Sequence, residues 1–122
     1  MHSENGTKVD DEVIVSLMRT FYKDGLIELV RELNKDTPQR FKEFKSVTNM
    51  RTGEPLAVST VNNRLKELVG MGMVRQKPFH QESGKMAIGY EVTERGQEMY
   101  GMIAKCAGDM YSFMLKNALI KG

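Results

Sequence analysis

The sequence predicts a mainly α protein with one small β-hairpin, an α+β chain of a single domain. Three observations carry this. Apolar residues recur at three- and four-residue spacing through most of the chain, the period of helices with one buried face. Two short runs, MVRQK and AIGYEVT, flank a segment rich in turn formers, the pattern of a hairpin. At 122 residues the chain is long enough for one modest core and too short for two.

Residues 1–9 are polar, include Gly6 and are expected to be disordered, leaving 10–122 as the domain. Asp10 and Asp11 suit a helix start, and Val13, Ile14, Leu17, Met18 and Phe21 form the apolar face of a first helix running to about Lys23. A second helix begins near Asp24, buries Leu26, Ile27, Leu29, Val30 and Leu33, and stops in NKDTP, because Pro38 disfavours helix at Thr37. QRF is a short extended piece. FKEFKSV follows as a third, short helix with Phe41, Phe44 and Val47 inward. NMRTGEP is a loop by its Asn, Gly and Pro content. A helix over residues 57–70 then buries Val58, Val61, Leu65 and Leu68, and Gly70 or Gly72 ends it through a left-handed cap. The hairpin spans about 73–93, with PFHQESGKM as its tip and Ile88, Tyr90 and Val92 sharing a face. Thr93 caps a final helix over about 94–119, with Met99, Met102, Ile103, Cys106, Met110, Phe113 and Met114 as its apolar side.

Composition narrows the function classes. With 40% hydrophobic and 28% charged residues this is an ordinary globular chain. No apolar run approaches the roughly 20 residues of a membrane helix, and the polar start lacks a signal-peptide core, so the expectation is a cytoplasmic protein with no membrane partner. The single cysteine, Cys106, cannot form an internal disulfide, and His2, His80 and Cys106 lie too far apart in sequence for a zinc-type cluster. No metal or cofactor is expected. No nucleophile and base set and no glycine-rich phosphate loop stands out, so an enzyme is the least supported class. The charge is uneven: residues 35–85 hold ten Lys or Arg against five acids, a local +5 in a chain whose total is +2. That asymmetry points to a polyanion for the middle of the chain.

Three helices followed by a two-stranded hairpin is the layout of a winged helix-turn-helix, whose third helix enters the major groove of double-stranded DNA while the wing rides on the backbone or minor groove. The helix over residues 57–70, the last before the hairpin, carries an oddity, the adjacent pair Asn62 and Asn63, both poor helix formers, on its outward early turns. An Asn amide donates and accepts at once, which matches the adenine edge. Ser59, Thr60, Asn62 and Asn63 are therefore the expected base readers, and Lys45, Arg51, Arg64 and Lys66 the phosphate contacts. Lys77, His80 and Lys85 are the expected wing contacts, although lysines on a hairpin also serve as edge protection. The final helix has more apolar surface than so small a domain can cover. A second copy is the expected cover, through Leu17, Phe21, Met99, Met102, Ile103, Cys106, Met110 and Phe113.

The runs GLIELVRELNKDTPQRFKEF, RLKELVGMGMVRQ and GYEVTERG resemble the HxlR-type winged-helix transcription regulators, close in layout to the MarR and PadR groups. Arg40, Phe41, Glu43 and Phe44 match that family's "RFxEL" pattern. Arg64, Leu65, Glu67, Leu68, Gly72, Met73 and Val74 match its "RLxELxxxGLV" pattern, and Tyr90, Val92, Thr93 and Gly96 its "YxLTxxG" pattern. The resemblance covers about residues 19–115 and implies a homodimeric DNA-binding regulator built through terminal helices. It leaves operator, direction of regulation and effector open. Two features depart from the family: its usual Trp after a Gly-Lys pair is absent, and NMRTGEP lengthens the turn before the recognition helix, moving Arg51 toward the DNA backbone or altering the recognition angle.

The expectation is thus a non-enzymatic, sequence-specific DNA-binding regulator acting as a homodimer. The second class is a winged-helix module that binds protein in place of DNA. Redox sensing through Cys106 is a subsidiary possibility, against the simpler reading of a thiol on an apolar helix face.

Overall fold

The computed structural model describes residues 10–33 and 37–117. The elements run α1 (Asp11–Phe21), α2 (Leu26–Glu32), a single 3₁₀ turn (Phe41–Phe44), α3 (Val58–Gly70), β1 (Val74–His80), β2 (Met86–Val92) and α4 (Glu94–Lys116). The expected disordered segment 1–9, residues 34–36 of NKDTP and the last residues of the final helix lie outside the described residues, and α2 already ends at Glu32, before NKDTP, with Leu33 extended as its C-cap.

Local chemistry sets most boundaries. Asp10 caps α1, its Oδ1 accepting from the Val13 amide at 3.1 Å, with Asp11 and Glu12 favourably placed in the first turn. The two helices are separated by an elbow, Tyr22 to Gly25. The helix expected over FKEFKSV is only one 3₁₀ turn, a correction with a clear cause. Leu56 donates its amide to the Val47 carbonyl at 2.9 Å, which holds Val47 in an extended pairing and stops the helix short. Phe44 and Val47 are nevertheless buried and Phe41 half-buried, as their spacing predicts. NMRTGEP is an ordered excursion and not a slack loop: Thr48 bridges Pro55, and the Asn49 amide donates to the Glu54 carbonyl at 2.8 Å.

α3 ends in a Schellman motif. The Met73 amide donates to the Leu68 carbonyl and the Gly72 amide to the Val69 carbonyl, both at 3.0 Å, with Gly72 at φ +77°, a conformation glycine adopts without Cβ strain. Of the predicted α3 stripe, Val61, Leu65 and Leu68 are buried, but Val58 is 63% exposed. It is the first helical residue and overhangs the body, and Leu56, two residues earlier, fills the core at that end.

The hairpin pairs antiparallel from Val74↔Val92 to His80↔Met86. Pro78 to His80 continue the strand, so the tip is residues 81–85 and narrower than expected; the Gln81 amide donates to the Lys85 carbonyl at 2.8 Å and closes it. Gln39 adds an antiparallel bridge to Tyr90 on the other edge of β2, which realises the extended piece expected at QRF. β1 is left as the edge strand, where a proline is tolerated.

One core joins these parts. Leu26, Leu29, Val30 and Leu33 from α2 meet Phe44, Val47 and Leu56, the inner stripe of α3, and Met73, Val74 and Val92 at the base of the wing. Phe44 and Tyr90 meet edge to face at 6.4 Å between ring centres. α4 starts on this core. Thr93 Oγ1 donates to the Gly72 carbonyl at 2.6 Å and accepts from the Gly96 amide at 3.0 Å, and a Cβ on Gly96 would run into the Met73 carbonyl. Beyond Tyr100 the helix leaves the core. α1 buries no residue, and α4 buries only Gly96.

Candidate nucleic-acid interface

α3 has two flanks of different character. At about 100° per residue the buried stripe of Val61, Leu65 and Leu68 leaves Ser59, Asn63, Lys66 and Glu67 on the opposite side. Thr60 and Arg64 fall on one flank, and Val58 and Asn62 on the other.

The Thr60–Arg64 flank is bonded to the elbow between α1 and α2. Arg64 Nε donates to the Asp24 carbonyl at 2.9 Å, and its Nη1 pairs with Glu67 Oε1. Glu67 also takes Lys23 Nζ at 2.5 Å. Thr60 lies beside Gly25, its Cγ2 3.5 Å from where a Cβ on that glycine would stand. Arg64, expected on phosphate, has a half-buried side chain already engaged twice. Lys23's hydrogen bond holds the Glu67 carboxyl below its ordinary value, with partial burial opposing and the Arg64 charge assisting.

Arg51 is turned to the same elbow. Its Nη2 and Nε donate to the two carboxylate oxygens of Asp24 at 2.7 and 3.2 Å. That hydrogen bonding, opposed by burial and assisted by the Arg51 charge, holds the Asp24 carboxyl below its ordinary value. The long turn before α3 thus carries Arg51 onto an acid of the elbow. Both side chains remain largely in water, so the pair is weakly held.

The other flank is open. Ser59, Asn63 and Lys66 are exposed and Asn62 is half-buried. No acid lies in the first turn of α3 and no side chain caps it, so the partial positive charge of its N-terminus is unopposed, unlike those of α1 and α4. Ser59, Asn62, Asn63 and Lys66 are therefore together on one free surface, while Thr60, Arg64 and Arg51 converge on the elbow. Lys45 is exposed just after the 3₁₀ turn.

On the wing, Lys77 and Lys85 are exposed. His80, also exposed, is the last residue of β1, opposite Met86, and not at the tip itself. Two neighbouring contacts have no local signal in the sequence. Glu91, opposite Arg75 in the register, is fully buried and accepts from Arg75 Nε at 2.6 Å, with Lys77 Nζ 3.9 Å away. Arg40 Nη1 donates to Gln81 Oε1 at 2.6 Å, tying the strand before the 3₁₀ turn to the wing tip. Only the hairpin register, unavailable from spacing alone, pairs Arg75 with Glu91.

The apolar residues expected at a dimer interface divide. Met110 and Phe113 are 62% and 61% exposed, and Leu17, Met102 and Cys106 are also open to solvent. Ile103 is half-buried. Phe21 and Met99 already pack against the protomer's own core. Among the described residues no helix is long and apolar enough to cross a membrane.

A family model described as HxlR-like helix-turn-helix matches residues 23–111. Among solved structures, a transcriptional regulator of the MarR family from Enterococcus faecalis V583 superposes with TM-score 0.66 at 20% identity, covering 96% of this chain and 100% of that one. A PadR-like transcription factor from Bacteroides fragilis gives TM-score 0.59 at 14% identity, covering 88% and 98%. The reduced form of the transcriptional regulator YodB from B. subtilis gives 0.58 at 19%, covering 83% and 90%. These likenesses establish the shared fold. No curated protein sequence matches the chain.

Proposed function

The chain belongs to the HxlR-like helix-turn-helix family, and from that premise we propose that it is a sequence-specific double-stranded DNA-binding transcription regulator, not an enzyme, acting as a homodimer in the cytoplasm. The observation that carries the reading is the division of α3. Its acid, Glu67, is drawn to the elbow, while Ser59, Asn62, Asn63 and Lys66 face outward beside an uncapped N-terminus.

In this reading α3 enters the major groove by its N-terminal half. Asn62 and Asn63 present amides to base edges and Ser59 adds a hydroxyl, with Thr60 at the margin. Lys66 and Lys45 hold phosphates. Arg51 joins them by exchanging the Asp24 carboxylate for a phosphate, a swap of small cost because the existing pair is exposed. Arg64 acts chiefly on the pose of the helix. The wing adds Lys77, His80 and Lys85. A second copy covers the open faces of α1 and α4 and sets two recognition helices about 34 Å apart, one turn of DNA.

Selection of duplexes from a random library, followed by titration at rising salt, tests the proposal. A two-fold symmetric enriched site and a steep fall of affinity with salt are expected. The rival reading, a module that binds protein, predicts no duplex binding even at low salt.

A further inference from the structure

We propose that Val58 reads a thymine methyl group, making it a specificity-determining residue of the recognition helix; this rests on the DNA-binding reading of α3. Val58 is the first residue of that helix and is 63% exposed, so most of its side chain is open to solvent and it lies outside the buried core. Four residues on, Asn62 shares its flank, one helical turn away. Ala57 and Ser59 beside it are also exposed, so this end of the helix presents only small side chains. The opposite flank, Thr60 and Arg64, is bonded to or packed on the elbow, which leaves the Val58–Asn62 edge free to approach a groove.

The chemistry of the partner follows from the side chain. A valine offers neither donor nor acceptor, so it distinguishes bases only by apolar surface. In the major groove that surface is the C5 methyl of thymine. N-terminal residues of a recognition helix are those that reach base edges. The pairing of an apolar Val58 with an amide at Asn62 therefore selects adjacent steps of different kind, a thymine methyl and an adenine edge.

The test uses the full-length protein and the duplex it recovers from a randomised library. Each thymine of one half-site is replaced singly by deoxyuridine, which deletes the methyl and nothing else. For the wild-type protein one position is expected to lose about fourfold in affinity, the factor that burial of one methyl group corresponds to. Val58→Ala is expected to bind the thymine duplex about fourfold more weakly or worse and to be indifferent to that replacement. Because Val58 is exposed, the variant is expected to fold, which a thermal melt checks. If no thymine gives more than a twofold effect, or if Val58→Ala keeps the full penalty, the assignment is wrong while the DNA reading stands. Recovery of no enriched sequence would overturn both.

Discussion

Arg64 donates its Nε to the main-chain carbonyl of Asp24 at 2.9 Å, so a residue of α3 is hydrogen-bonded to the elbow that leads into α2. With its pairing to Glu67, and that of Glu67 to Lys23, it fixes the rear flank of α3. A guanidinium used in this way positions the helix. Arg64→Ala is expected to lower stability by about 1–3 kcal/mol in urea denaturation. Binding to specific and random duplexes should fall together, with the salt dependence unchanged. A variant of unaltered stability whose salt slope drops by about one would instead place Arg64 on a phosphate.

The same elbow gives an acid dependence. The Glu67 and Asp24 carboxyls are both held below their ordinary values, by Lys23 and Arg51 respectively. Their folded forms bind a proton less readily than the unfolded chain, so the stability they lend is present at neutral pH and is lost as pH falls through the lowered values. The window opens near pH 4.5 for Glu67 and 3.8 for Asp24 and extends downward. Glu67→Gln should be less stable at pH 7 and should lose less on acidification. Its melting temperature, followed from pH 7 to 3, is expected to converge on that of the wild type; parallel curves would show that Glu67 is not the group responsible.

How far the sequence carried this picture depends on the kind of force involved. Periodic apolar positions identified the core, since Leu65, Leu68 and Val92 need only a helix or strand period to be placed. Gly72 and Thr93 announced their caps by residue type. Val58 fits the same period yet is exposed, because periodicity does not tell where a helix outruns the body that covers it. Arg64 and Arg51 looked like free cations; their partner Asp24 lies 40 and 27 residues away, beyond any local pattern. Short-range spacing encodes burial well and long-range polar pairing hardly at all.

The roles proposed for Asn63 and Lys85, base reading and phosphate contact, predict different losses. Asn63→Ala replaces an exposed amide with a better helix former, so the fold should persist. Affinity for the selected duplex should fall by about 1–3 kcal/mol and that for random duplex barely change. Lys85→Ala should weaken both alike and lower the salt slope by about one. Competition titrations with both duplexes read the two outcomes; equal losses for Asn63→Ala would exclude base reading by that side chain.

The exposed end of α4 makes the dimer testable without harming the protomer. Met110 and Phe113 lie outside the protomer's core, so Met110→Glu with Phe113→Glu should leave the melt of the winged portion intact. Sedimentation should show a particle of 13.9 kDa where the wild type gives twice that mass. A wild type that is itself a monomer at micromolar concentration would sink the interface.

Glu91 has a consequence for how tightly the protein grips nucleic acid. Its carboxylate is buried beneath Arg75, near Lys77, and its Oε2 finds no hydrogen-bond partner among the described residues. A cation bound to such a group brings its own neutralising ion to the DNA. It displaces fewer condensed counterions than a free lysine, because part of its charge is already spent inside the protein. In the proposed complex the wing would therefore contribute less entropy of ion release than its count of basic residues suggests, and its share of the salt dependence would be correspondingly small.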